Sequence, residues 1–142
     1  MSPPLHAMNL LLRLSDGEVE RRGAELTAKQ ALIARSQRTL ARLDALCGEQ
    51  SATVSPVLAH GRAVYKQNLM AMMAAQRQDL ALVEADAAVS QQRLGQARLA
   101  RERIAHGQMT LAGALARQAA RREQRDCDEL ASQAWQRGKE GV

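Results

Sequence analysis

The sequence predicts an all-α protein, a long antiparallel two-helix coiled-coil hairpin, from its ring content, its helix formers and its sparse prolines. The 142 residues include one Trp, one Tyr and no Phe, although large rings dominate the buried area of ordinary globular cores. Ala, Leu, Arg, Gln and Glu prevail instead, and these are strong helix formers. With heptad periodicity such a mixture signals a long helix or coiled coil. The prolines are Pro3, Pro4 and Pro56, so obligatory helix breakers are confined to the start and one interior point. A chain of this length has the size of one domain, residues 1–142.

The first helix is expected over about 5–48. Ser2-Pro3-Pro4 pairs a capping residue with prolines that a first helical turn tolerates. From there Leu12, Val19, Leu26, Ile33, Leu40 and Cys47 recur at every seventh residue. A strict seven-residue repeat implies a left-handed supercoil, because a straight helix would drift off its seam. Three residues further on, the companion row Ser15, Arg22, Lys29, Ser36 and Leu43 is mostly polar. One row of large side chains flanked by polar ones suits a single partner helix and not a broad core.

A turn is expected over about 49–55, with Gly48 ending the first helix and Ser55-Pro56 capping the second. A connector this short joins antiparallel neighbours. The second helix is expected over about 56–137, with a fraying tail beyond. Its seam runs Leu69, Met73, Gln76, Leu80, Val83, Ala87, Ser90, Leu94, Ala97, Arg101, Ile104, Gln108, Leu111 and Leu115. Gly95, Gly107 and Gly113 each cost about 1 kcal/mol relative to Ala and mark the expected bends, His106-Gly107 foremost. At 1.5 Å per residue, residues 5–52 and 57–137 would span roughly 72 and 120 Å as helix, leaving about 30 residues of the second unpaired by the first.

Charge is unevenly spread. Lys plus Arg exceeds Asp plus Glu by five, and residues 93–125 alone carry an excess of six. That stretch holds eight arginines against Glu102 and Glu123. A basic stripe fits either a solvated helix face or an acidic partner surface. Nucleic acid is the rival partner class, because phosphate binding needs little beyond positive charge. No stacking platform accompanies the arginines, and Glu123, Asp126, Asp128 and Glu129 interrupt them, which favours a protein surface over any specific nucleic acid. A generic oligomerisation scaffold is the other alternative.

Chemistry is hard to place. His6, His60 and His106 are scattered, and no second His or Cys lies three or four residues from any of them. No phosphate loop, nucleophile elbow or Cys-x-x-Cys pair occurs. Neither an enzyme activity nor a catalytic residue, metal or cofactor is expected. Cys47 and Cys127 are read as small packing residues, too far apart in a hairpin for a disulfide. Met70, Met72 and Met73 with Leu69 and Tyr65 cover more than one helix face. One seam cannot bury them all, and flexible Met suits adaptable binding surfaces; the alternative is packing on Leu43 and Leu46. Leu10, Leu11 and Leu12 are too short a core for a signal peptide, and no apolar run approaches a membrane span, so a soluble cytoplasmic protein is expected.

Three stretches resemble the FliJ/YscO family of type III export stalk proteins, which serve flagella and injectisomes. Leu11-Leu12-Arg13-Leu14 followed by Glu18-Val19-Glu20 is similar to the family's leucine pair before Glu-Val-Asp/Glu. Tyr65-Lys66-Gln67-Asn68-Leu69 is similar to its Tyr-Gln-Gln-Phe segment, without the Phe. Arg121 to Ala131 resembles its basic run leading into Asp-Glu-x-Ala. The resemblance implies a non-enzymatic central stalk of an export ATPase complex at the cytoplasmic face of the inner membrane. Its partners would be the hexameric export ATPase, the export gate membrane protein and secretion chaperones. Leu14, Glu18, Arg121, Arg122, Arg125, Asp128 and Glu129 would then face the ATPase. Leu43, Leu46, Tyr65, Leu69 and Met72 would face the gate or chaperones.

Overall fold

The computed structural model describes residues 2–49 and 55–141. Two long helices pack against each other, α1 over Pro3–Gly48 and α2 over Pro56–Glu140, with no strand among the described residues. Both starts are capped as the sequence predicts. The Leu5 amide donates to the Ser2 hydroxyl at 3.3 Å, and the Leu58 amide to the Ser55 hydroxyl at 3.2 Å. Each serine thereby satisfies one of the orphan amides that a helix start exposes. Pro56 stands at the first helical position, where its missing N–H costs nothing. Gly48 ends α1, but without a left-handed twist, since no described glycine has a positive φ. Most of the expected connector, residues 50–54, lies outside the described residues.

The chain divides into two compact units. One comprises Gly17–Arg98 and pairs the later part of α1 with the earlier part of α2. Here Leu43, Leu69 and Met73 form a buried cluster, with Leu40 and Cys47 packed on it. Ala87, Ser90 and Leu94 are buried further along α2. The other unit comprises Met1–Asp16 with Leu99–Val142. In it Met8 lies over Gly107, and a Cβ added there would meet the Met8 terminal methyl at 3.0 Å. The missing side chain leaves room for the Met8 methyl against α2.

The seam follows the sequence closely. All six residues of the seven-residue row are half-buried, and all fourteen expected seam positions on α2 are buried or half-buried. Four of those fourteen are polar, and each meets a polar partner on α1. Within the first-described unit Gln76 donates to the Ser36 hydroxyl at 3.3 Å, and Lys29 donates to Ser90 while lying 3.1 Å from Asp86. Within the second, Arg101 donates to Asp16 at 2.5 Å and Gln108 to Asn9 at 3.2 Å. Ser90 is only 1% exposed, so its hydroxyl needs such a partner to be buried at acceptable cost. Polar rungs of this kind select one register, because a slipped pairing would set each against an apolar neighbour.

Three expectations are corrected. The helix runs without a break through Gly95, Gly107 and Gly113; about 1 kcal/mol per glycine is too little to end a helix whose seam is satisfied on both sides. Gly107 marks a close approach and not a break. The tail remains helical to Glu140, where Lys139 lies 4.9 Å from the Trp135 ring centre and basic residues of the last turn oppose the helix dipole. Cys127 is exposed, whereas Cys47 packs with its Sγ 3.8 Å from the Met73 sulfur.

The glycines also give a stability test. Gly95→Ala adds a Cβ that meets nothing, and is expected to stabilise by up to about 1 kcal/mol, raising Tm by roughly 2–4 °C. Gly107→Ala must displace the Met8 methyl and is expected to gain less. Thermal melts by circular dichroism compare the two; an equal or larger gain at Gly107 would contradict the close approach.

Candidate functional site

The most distinctive surface is the end of α2. Leu115 is the last half-buried residue, and every described residue from Ala116 to Gly141 is exposed. The α1 seam simply runs out. About 25 residues of uninterrupted helix therefore project with no packing partner among the described residues, close to the overhang that the helix lengths imply. Nothing but its own residues sustains this helix. Ala, Arg, Gln and Glu are strong formers, and Gln124 and Gln133 bond to Asp128 and Glu129 one turn away at 3.0 and 3.4 Å.

Five residues assigned to the ATPase lie on this segment. Arg121, Arg122, Arg125, Asp128 and Glu129 are all exposed, and none forms an ion pair among the described residues. The sequence order gives the reason: arginines come first and acids follow. That is the less favourable direction for pairing four residues apart along a helix. The charges are thus held open to solvent.

Leu14 and Glu18 are placed differently. Leu14 is 71% exposed but sits beside Asp16, which pairs with Arg101. Twenty residues of α2, about 30 Å of helix, separate Arg101 from Arg121. Leu14 is therefore not brought to the charged end. Glu18 is half-buried and already engaged by Arg21 and by Arg22 at 2.9 Å, with Glu25 3.3 Å from Arg22 on the other side. The Glu18 hydrogen bond chiefly, with both carboxylates' fields, holds the Arg22 guanidinium still higher than its ordinary range.

The set assigned to the gate divides in two. Leu46, Tyr65 and Met72 are exposed. Leu43 and Leu69 are interior residues of the buried cluster, Leu69 only 4% exposed. Packing between the helices consumes their surface, which leaves Leu46, Tyr65 and Met72 as the exposed members of the set. Met70 is exposed beside Met72, and Met73 is buried, as packing on Leu43 requires. A shallow depression lined by Asp44, Cys47, Met70, Met73 and Arg77 adjoins them. Among the described residues no group of three or more potential metal ligands assembles, and no helix is long and apolar enough to cross a membrane.

The sequence model of the flagellar FliJ protein family matches residues 5–140. The chain belongs to the FliJ family. FliJ proteins are structural components of the flagellar export apparatus, and the match covers both helices and the overhang. No curated protein and no solved structure gives a significant match. Sequence reasoning missed the four polar rungs as a set. Their signal was present in the polar residues of each seam, and became readable only once the register of α1 against α2 was known.

Proposed function

We propose that this FliJ-family chain is the non-enzymatic central stalk of a flagellar export ATPase complex. The overhanging end of α2 engages the hexameric ATPase through Arg121, Arg122, Arg125, Asp128 and Glu129. The observation that carries the reading is the helix from Ala116 to Glu140, exposed along its length and bearing charges of both signs with no ion-pair partner among the described residues, in a chain that the family matches almost end to end. Exposed ion pairs are individually weak, commonly below about 1 kcal/mol. A stalk that must touch several subunits in turn needs contacts of that strength. Leu46, Tyr65 and Met72, on the same stretch as the buried Leu43 and Leu69, are proposed to meet the export gate membrane protein or secretion chaperones. The chain would thereby work at the cytoplasmic face of the inner membrane, held there by its partners.

The test is reconstitution with the export ATPase. The protein is expected to co-purify with the hexamer and raise its ATP hydrolysis. Binding to random duplex DNA is expected to stay weak at physiological salt. A tight duplex complex that weakens steeply with salt, and no effect on hydrolysis, would instead assign the arginines to phosphates.

A further inference from the structure

We infer that the beginning of α2, with the end of α1 beside it, is a lipid-contact surface that lies on an anionic membrane. The inference concerns the protein alone and does not depend on the export reading. All of its residues belong to the Gly17–Arg98 unit. Val57, Val64 and Ala71 recur at every seventh residue, and Leu58, Tyr65 and Met72 form a second such row beside them. Residues at that interval keep to one side of a supercoiled helix. Neither row belongs to the seam, carried here by Leu69, Met73 and Gln76, and all six residues are exposed, Val57 by 81%. The outer side of a surface helix is ordinarily polar. α1 adds the exposed Leu46, which precedes Cys47 as Met72 precedes Met73, and those two sulfurs meet across the seam. Antiparallel pairing therefore sets Leu46 and Met72 on the same side of it.

Charge selects the occupant. From Gln50 to Gln78 the sequence contains no Asp or Glu, while Arg62, Lys66 and Arg77 fall within it. The next members of the two rows are Gln78 and Asp79, so the apolar rows and the acid-free run end together. Arg42 stands one turn before Leu46, and with Arg35, Arg38 and Thr39 it lines a shallow groove on α1. None of these three arginines has an ion-pair partner among the described residues. One Arg62 guanidinium nitrogen is buried without an acceptor among the described residues. Of the acids nearby on α1, Asp44 lines the depression on the other flank of the seam with Met70 and Arg77, which leaves Glu49 against three arginines. Apolar side chains bordered by cations, with a Tyr among them, are what an interfacial helix offers a membrane. The cations meet lipid phosphates while the apolar rows enter the headgroup boundary. A protein partner is registered by charges of both signs, whereas an anionic lipid surface requires one sign only. No helix among the described residues is long and apolar enough to cross the bilayer, so the face lies on it.

The test is flotation of the full chain with vesicles of phosphatidylcholine, alone or with about one-third phosphatidylglycerol. Binding is expected to be roughly tenfold stronger on the anionic vesicles and to weaken with salt. R35E/R38E/R42E is expected to weaken it about a hundredfold, since each cation near an anionic surface contributes roughly a factor of five. V57D/L58D, which changes exposed side chains only, is expected to weaken it by about tenfold or more. Two controls should stay within about twofold of the unaltered protein. L99D/L130D alters exposed apolar sites in the other unit. R93E/R98E/R103E makes an equal change of charge, starting about 30 Å along α2 from Met72. Circular dichroism checks that every variant keeps its helix. Insertion is read by Tyr65→Trp combined with Trp135→Phe, whose emission should move to shorter wavelength on anionic vesicles. Absence of binding would overturn the inference and leave the face to a protein partner. So would binding that survives V57D/L58D, falls equally in R93E/R98E/R103E, or leaves the emission unmoved, since each would mean attraction by net charge alone.

Discussion

Reversing Arg121, Arg122 and Arg125 to Glu is expected to reduce stimulation of the partner ATPase to the rate of the ring alone, while leaving helix content unchanged. The three side chains are exposed and unpaired, so the fold loses nothing when they change. The contact surface loses three positive charges and gains three negative ones. Truncation after Gln118 should have the same effect, since it removes the segment and leaves the whole seam. Reversal of Arg35, Arg38 and Arg42 makes an equal change of net charge at exposed positions on α1 and should keep stimulation. Hydrolysis rates of the three reconstituted complexes decide the matter. Full stimulation by both altered ends would remove the overhang from the mechanism.

The largest loss of stability is expected from Leu69→Ala. Leu69 is 4% exposed and lies in the buried cluster with Leu43 and Met73. Deleting its side chain removes transfer energy and leaves a cavity, together about 2–5 kcal/mol. For a chain of this size that corresponds to a fall in Tm of roughly 5–15 °C. Leu82→Ala removes the same atoms from a site 66% exposed and should change Tm little. The comparison also bears on function. If Leu69 were a partner-binding side chain, its loss would spare the melt and weaken only the complex. Similar melts for the two variants would show that the cluster does not hold the helices together.

Much of this was legible in the sequence because coiled coils write their packing as period. The Leu12-to-Cys47 row and the fourteen positions from Leu69 to Leu115 located the seam, since only residues at those intervals stay on one side of a helix. Ser55-Pro56 fixed the start of α2 for an equally local reason, the geometry of a capped first turn. What failed was non-local. Gly107 read as a bend, because its partner Met8 is about a hundred residues away in the chain and only the register reveals that it fills the gap. Leu43 and Leu69 read as partner surface because apolar residues look alike whether their neighbour is another helix or another protein. Arg21 and Arg22 engage Glu18 within the same helix, a competition that spacing permits but does not decide. The charged end was found by arithmetic on helix length, and its exposure followed from the absence of any residue left to cover it.

The placement of the rings has an optical consequence. Trp135, the single tryptophan, stands 66% exposed on the overhang, and Tyr65 is the single tyrosine. Ring emission excited at the red edge therefore comes from the free end of α2 alone, and should be that of a solvated indole. Unzipping the seam would pass almost unseen by this fluorophore, whereas occupancy of the overhang would shift its colour and lower its quenching by iodide. The protein thus carries a native probe that is nearly blind to its own unfolding and sensitive to what it touches.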